Sequence, residues 1–167
     1  PFLGSDSVAV FLKDPQKGVF LLCKTSNPGS SDIQDLPVTG SIEPSNPLQT
    51  LALYETVAKL AQKWNTRDNL GLVVGATYPQ AIARLRALTP GLWFLVPGVG
   101  AQGGDLAASL QAGLRADGLG MLVSVSRAIS QAEDMHQASL HLRDEINRQR
   151  EKLSQGRLSH HGQQAET

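Results

Sequence analysis

Short, continuous apolar runs alternate along the chain with segments in which apolar residues recur every three or four positions. The continuous runs predict strands buried on both faces, and the periodic segments predict amphipathic helices. The predicted strands span residues 19–23, 70–76, 92–96 and 121–125. The predicted helices span residues 5–12, 48–64, 79–88, 106–114 and 133–153, and residues 25–46 read as a long polar loop of the kind that is often functional.

Strands that alternate with helices predict a parallel α/β architecture, and two arrangements stay open. One is an open doubly wound sheet, and the other is a (β/α)8 TIM barrel, which needs about 250 residues. The chain has 167 residues and opens on Pro-Phe-Leu-Gly, which is typical of a strand end and the turn after it. We therefore expect a C-terminal fragment of a barrel, about strands 5–8 with their helices, in a single unit at residues 1–153.

The residues after this unit differ in composition. From Ser154 onward Gln, Gly, His and Ser dominate, so residues 154–167 are expected to form a disordered tail. His160 and His161 lie in that tail with no cysteine or acidic residue at ligand spacing. No metal site is therefore expected.

Residues 95–105, Leu-Val-Pro-Gly-Val-Gly-Ala-Gln-Gly-Gly-Asp, carry the strongest chemical signal, because an apolar strand there meets a glycine-rich turn that opens a helix. The last predicted strand is followed by Ser126 and Arg127. Glycines let backbone N–H groups approach an anion, a helix N-terminus attracts it, and arginine binds phosphate through two parallel hydrogen bonds. The pattern predicts a phosphate site that includes Gln102 and Arg127. An ion pair of Arg127 with Asp or Glu is the structural alternative.

Short polar side chains follow the earlier strands. Ser26 and Asn27, on a Pro-Gly turn, can hydrogen-bond the amide-like edge of a planar ligand, or can simply stabilise the turn. Thr77 is expected to cap the helix that Pro79 starts, and Asp105 to cap the next helix rather than to act in catalysis. The glycine pattern lacks the dinucleotide-binding fingerprint, and the chain has no phosphate-loop lysine and no nucleophile elbow.

Composition excludes several classes of protein. The 15 basic and 15 acidic side chains cancel, so no basic field indicates a nucleic acid or a membrane surface as partner. The single cysteine, Cys23, lies in an apolar run, which excludes a disulfide framework and favours a core residue over a nucleophile. No apolar run approaches the roughly 20 residues that span a bilayer. We expect a cytoplasmic protein.

Four motifs in order resemble orotidine 5′-phosphate decarboxylase, in its longer bacterial type and in the related domain of uridine monophosphate synthase. They are Phe-Leu-Gly-Ser-Asp-Ser at 2–7, Lys-Thr-Ser-Asn-Pro-Gly at 24–29, Gly-Leu-Val-Val-Gly-Ala-Thr-Tyr-Pro at 71–79, and the run at 95–105. The resemblance covers residues 1 to about 150. It implies a (β/α)8 barrel that decarboxylates orotidine monophosphate to uridine monophosphate in pyrimidine nucleotide synthesis, without metal or organic cofactor, usually as a homodimer.

The resemblance also implies roles for single residues. Ser26 contacts the pyrimidine edge, Gln102 touches the phosphate from a loop that closes over the ligand, and Arg127 clamps the phosphate. Backbone amides near Gly103 and Ser126 lie beside that phosphate. The family often has glycine where this chain has Ser126, but the backbone amide can still donate.

The family's Asp-x-Lys-x-x-Asp motif does not occur in these 167 residues. By the resemblance it lies upstream of Pro1, so no catalytic residue is expected in this chain and the isolated chain is expected to be inactive. Two alternatives remain, which are a noncatalytic module that binds a phosphorylated ligand and another sugar-phosphate lyase of the same superfamily. The Thr-Ser-Asn-Pro-Gly loop argues against the lyase, because a sugar phosphate has no pyrimidine edge.

Overall fold

A computed structural model describes residues 1–42, 47–100 and 103–162, with side chains as far as residue 153. The helices are α1 (Gly4–Phe11), α2 (Ser31–Gln34), α3 (Leu53–Trp64), α4 (Pro79–Leu88), α5 (Leu106–Gly113), α6 (Arg127–Ser130) and α7 (Met135–Gly162). The strands are β1 (Val19–Lys24), β2 (Pro37–Gly40), β3 (Gln49–Ala52), β4 (Leu70–Val74), β5 (Phe94–Pro97) and β6 (Met121–Ser124). A 3₁₀ turn, Pro28–Ser30, precedes α2.

The main sheet has four strands in the order β1-β4-β5-β6, and every neighbouring pair is parallel. This order follows the chain without a reversal. A doubly wound sheet reverses its strand order at a switch point, whereas a barrel adds each strand beside the one before it. The observed order therefore favours the barrel over the doubly wound alternative.

The two faces of the sheet are buried to different extents. Leu21, Leu72 and Phe94 are register neighbours on one face, and all three are buried. On the opposite face, register places Leu22 beside Val73, Leu95 and Leu122 in turn, and Leu22 is 52% exposed. The helices thus cover one apolar face and leave the other accessible.

The long loop predicted for residues 25–46 is wrong in part, because β2 lies within it. This strand pairs in antiparallel fashion with β3, and the Thr39 and Thr50 hydroxyl oxygens lie 2.9 Å apart across the pair. The predicted helix at 48–64 accordingly begins later, at Leu53. Ala52 has an extended backbone, and its N–H donates to the Glu55 carboxylate at 3.0 Å, which caps the first turn of α3.

The last helix is longer than the sequence predicted. The prediction ended it at Leu153 and assigned 154–167 to a disordered tail, whereas the structure continues α7 as far as Gly162. Residues 163–167 lie outside the described part of the chain. Of residues 154–162, Gln155, Arg157 and Leu158 are good helix formers, and adding residues to an existing helix is easier than starting a new one.

The Arg86 guanidinium hydrogen-bonds backbone carbonyls at the ends of several elements, at the N-terminal edge of the sheet. This half-buried group donates to the carbonyl oxygens of Gly113 and Leu92, each at 2.7 Å, and of Gly120 at 3.0 Å. It also stacks on the Phe94 ring, 3.9 Å from the centroid. Burial lowers the pKa of Arg86 to about 10, so the group stays charged at neutral pH.

We expect Arg86→Met to lower the free energy of unfolding by about 2–4 kcal/mol, because the Gly113 and Leu92 carbonyls lose the Arg86 donor, and a buried carbonyl left without a donor costs about 1–3 kcal/mol. Urea unfolding measures this change. Arg143→Met is the matched control, since the Arg143 side chain is 60% exposed and should shift stability by about 0.5 kcal/mol or less. Equal effects of the two variants would contradict the anchoring role.

Candidate functional site

The loops that follow β1, β4, β5 and β6 meet at one edge of the sheet, because the carboxyl ends of parallel strands share an edge. The first three of these loops are joined directly: the Gly75 N–H donates to the Lys24 carbonyl at 2.8 Å, and the Ala76 N–H to the Pro97 carbonyl at 2.9 Å. This is the edge at which barrel enzymes place their active sites. Ser26, Gly103, Ser126 and Arg127 all lie on these loops.

The loop after β1 holds Ser26 closely against the loop after β4. A Cβ at Gly75 would lie 2.7 Å from the Ser26 backbone nitrogen, so only glycine allows this approach. The Thr77 hydroxyl donates to the Ser26 carbonyl oxygen at 3.5 Å. On the other side, the Thr25 N–H donates to the Gln34 side-chain oxygen at 3.0 Å. The Ser26 backbone is therefore fixed by contacts with two other segments.

The expectation that Thr77 caps α4 is wrong. The N-cap residue is Tyr78, and no side-chain cap hydrogen bond forms there. The Thr77 hydroxyl turns toward Ser26 instead. Its place in the sequence, two residues before a helical proline, indicated a cap, and only the tertiary contact reveals the other partner.

The glycine-rich turn after β5 needs glycine for its backbone angles. Gly98, Gly100 and Gly103 have φ values of +96°, +73° and +83°. Gly104 packs so closely on Ala76 that an added Cβ would lie 2.6 Å from the Ala76 Cβ. The Gly103 N–H donates within the turn to the Gly100 carbonyl at 2.8 Å. An anion at Gly103 therefore competes with a hydrogen bond inside the turn.

The helix after this turn begins as predicted. The Asp105 carboxylate accepts the Ala108 N–H at 3.0 Å and caps α5, which confirms its structural role. Gln102, the predicted phosphate contact in the turn, lies outside the described residues.

Ser126 and Arg127 follow the edge strand β6, whose residues are alternately half buried and exposed. Ser126 is the N-cap residue of the short helix α6, and Arg127 is its first residue. Both are exposed. Within the part of the chain that the structure describes, no carboxylate pairs with Arg127, so the ion-pair alternative is not observed there. The guanidinium is accessible to an anion at the loop edge.

A buried cation that the sequence alone does not identify, Lys24, lies two residues before Ser26 in the chain. Lys24, the last residue of β1, is 2% exposed, and its ammonium lies 2.7 Å from the Asp35 carboxylate. The ammonium also faces the Tyr54 and Tyr78 rings, 5.5 Å and 4.9 Å from their centroids. The three partners of the Lys24 ammonium lie far apart along the chain, so no local sequence motif indicates that they form a cluster. The one signal available was a lysine that directly ends an apolar strand.

Cys23 is a core residue, as the sequence predicted. Its thiol is buried and donates to the Tyr54 carbonyl at 3.2 Å. Burial raises the pKa of Cys23 to about 12, so the thiol stays protonated and unreactive at neutral pH. Among the residues that the structure describes, no cluster of His, Cys, Asp or Glu is arranged to hold a metal ion. The described helices include none long and apolar enough to cross a membrane.

Residues 1–141 match the family model described as Orotidine 5′-phosphate decarboxylase / HUMPS family. An orotidine 5′-phosphate decarboxylase of Azoarcus sp. (strain BH72) is 50% identical over 155 residues, which are 88% of this chain and 54% of that protein. The orotidine 5′-phosphate decarboxylase of Aromatoleum aromaticum is 48% identical over 158 residues, with 90% and 55% coverage. The chain thus spans about half the length of the curated relatives it matches.

Solved structures give the same result. The structure of Leishmania donovani OMP decarboxylase matches with a TM-score of 0.77 and 51% identity, over 90% of this chain and 55% of that one. The structure of Leishmania donovani UMP synthase matches with a TM-score of 0.80 and 54% identity, over 90% of this chain and 32% of that one. The parallel α/β fold is therefore the fold of these decarboxylase barrels.

Proposed function

The chain belongs to the orotidine 5′-phosphate decarboxylase / HUMPS family, and we propose that it is the pyrimidine- and phosphate-binding part of an orotidine 5′-phosphate decarboxylase. The complete enzyme converts orotidine monophosphate to uridine monophosphate and CO2. In this proposal the chain supplies about strands 5–8 of the barrel. The remaining strands, with the Asp-x-Lys-x-x-Asp motif, precede Pro1.

One observation carries the proposal. The Ser26 loop and the Arg127 loop lie at the same edge of the sheet, after its first and last strands. A ligand that is planar at one end and phosphorylated at the other can contact both loops. In this arrangement Ser26 hydrogen-bonds the pyrimidine edge, and Arg127 binds the phosphate with Gln102 and the amides of Gly103 and Ser126.

A separation between residues that bind the substrate and residues that break its bond is compatible with the chemistry of decarboxylation. Decarboxylation leaves a carbanion at C6 of the pyrimidine, which a lysine must stabilise and protonate, while a nearby carboxylate crowds the departing carboxylate group. Those groups are assigned to the part before Pro1. The phosphate lies far from C6, and binding energy from such a remote group can be used to stabilise the transition state. Arg127 thus contributes to the rate without touching the reacting atoms.

The complete enzyme is proposed to act as a cytosolic homodimer without metal or organic cofactor. The homodimer follows from the family resemblance. Large apolar side chains at the start of the chain, Phe2 at 78% exposure and Leu3 at 81%, are accessible both to the strands proposed before Pro1 and to a second subunit. The buried, reduced Cys23 is compatible with the cytosol.

The test uses a joined protein, in which the part of the Azoarcus sp. relative that this chain does not match is placed before Pro1. Calorimetry measures its affinity for uridine monophosphate and for ribose 5-phosphate, which lacks the pyrimidine. We expect uridine monophosphate to bind more tightly. Ser26→Ala should weaken its binding by about 3-fold to 10-fold, the worth of one neutral hydrogen bond, and leave ribose 5-phosphate unchanged.

Ser31→Ala is the matched control, because Ser31 is exposed in the same connection but lies outside the motif. It should change neither affinity. Equal affinity of the joined protein for the two ligands would reject the pyrimidine site and favour the sugar-phosphate lyase. Binding of neither ligand would reject the proposed function altogether.

A further inference from the structure

We propose that Lys24 is a positioning residue for the pyrimidine loop, because its ammonium ties the two ends of the segment that carries Ser26 to each other. This inference rests on the proposed function of Ser26. The segment runs from Lys24, at the end of β1, to Asp35, which directly follows α2. The 2.7 Å contact between the Lys24 ammonium and the Asp35 carboxylate closes it into a ring.

The ion pair between Lys24 and Asp35 restricts the position of Ser26 through a short series of contacts. Asp35 is the C-cap residue of α2, and the preceding residue, Gln34, accepts the Thr25 N–H at 3.0 Å. The Gln34 amide nitrogen also donates to the Thr25 hydroxyl at 3.0 Å. Thr25 is adjacent to Ser26. If Asp35 loses its cation, the end of α2 loses an anchor, and Gln34 no longer holds Thr25 in one place.

The surroundings of the ammonium hold it in one position. Lys24 is almost fully buried, although an unpaired ammonium is costly to remove from water. The cost of removing the ammonium from water is offset by the Asp35 carboxylate and by the faces of the Tyr54 and Tyr78 rings. A cation within about 6 Å of an aromatic centroid is attracted to the ring. Tyr78 directly follows Thr77, whose hydroxyl donates to the Ser26 carbonyl. The cation therefore contacts both segments that brace Ser26.

A purely structural ion pair has a different signature. Removing one partner of a buried ion pair is strongly destabilising when the charge left behind stays buried. Here the Asp35 carboxylate is 45% exposed, so water can solvate it when the cation is gone. Lys24→Met should therefore leave the thermal midpoint nearly unchanged. The loss should appear in the order of the loop and in pyrimidine affinity.

The experiment compares Lys24→Met with the parent joined protein. Hydrogen exchange is measured without ligand at the amides of Thr25 and Gly75, whose acceptors lie in the Ser26 segment. We expect both amides to exchange at least about 10-fold faster in the variant, while Leu72 and Phe94 in the core strands are unchanged. Uridine monophosphate should bind on the order of 10-fold more weakly, because loop ordering must then accompany binding. Ribose 5-phosphate should bind as before.

Asp35→Asn, a second variant, should reproduce these changes, and Lys24→Arg, which keeps the charge, should restore part of the affinity. Lys17→Met is the control, since Lys17 pairs with Asp14 in an exposed position and should alter none of the readouts. Unchanged exchange at Thr25 and Gly75 would overturn the positioning role, as would an equal loss of affinity for both ligands. If the loop loosens but the parent shows no preference for uridine monophosphate, the proposed function fails, and Lys24 orders the loop without positioning it for a pyrimidine.

Discussion

The 167-residue chain alone is expected to form no detectable uridine monophosphate from orotidine 5′-phosphate, whereas the joined protein is expected to form it. The chain lacks the Asp-x-Lys-x-x-Asp motif, and its described lysines do not supply a substitute. Lys24 is buried against Asp35 and two tyrosine rings. Without an acid to protonate C6, binding alone leaves the high barrier of the uncatalysed reaction almost intact. Chromatographic detection of uridine monophosphate measures the outcome.

The segment placed before Pro1 provides the control when it is expressed on its own. It should also be inactive, because it lacks Ser26 and Arg127. Mixing the two purified pieces tests whether they assemble without a covalent link, as the accessible apolar face at Leu22 and Leu122 favours. Uridine monophosphate formation by the 167-residue chain alone would contradict the division between a binding part and a catalytic part.

In the joined protein, Arg127→Ala is expected to lower kcat/KM by about 100-fold to 1,000-fold, equivalent to about 3–4 kcal/mol of transition-state stabilisation. Arginine binds phosphate through two parallel charge-assisted hydrogen bonds, and alanine provides none. Added guanidinium ion should restore part of the lost activity, because it can occupy the space that the side chain vacates. Steady-state kinetics with and without guanidinium measure both effects.

Arg143→Ala is the matched arginine control for this variant. The Arg143 side chain is exposed on α7 and pairs with Asp144, so its removal should leave kcat/KM unchanged and guanidinium should have no effect. If Arg127→Ala has the same kcat/KM as the parent protein, Arg127 does not bind the phosphate. A loss that guanidinium does not relieve, together with a lowered unfolding midpoint, would indicate a structural role instead.

The strands of the main sheet could be predicted from the sequence because each is a continuous apolar run, although the helices cover only one face of the sheet and Leu22 on the other face is 52% exposed. The β2–β3 hairpin could not be predicted from the sequence. Its strands have four residues each, and residues 48–52 continue the apolar spacing of the helix that follows them. The extended backbone at Ala52 and the Glu55 cap separate strand from helix, and neither is visible in hydrophobic periodicity.

In the candidate site, too, some features could be predicted from the sequence and others could not. Local chemistry predicted the Asp105 cap, because the carboxylate and its N–H partner lie three residues apart. The neighbours of Ser26 are brought together only by the fold, since Gly75 and Thr77 come from another strand and its loop. The same holds for Lys24, whose carboxylate partner lies eleven residues away and whose tyrosines lie on two other segments.

Ser26 and Arg127 are proposed to bind opposite ends of one nucleotide. A crystal structure of the joined protein with uridine monophosphate tests this most directly. We expect the phosphate to lie within hydrogen-bond distance of the Arg127 guanidinium and the pyrimidine edge to lie against Ser26. A nucleotide bound with its phosphate away from Arg127, or with its pyrimidine away from the Ser26 loop, would contradict the proposal.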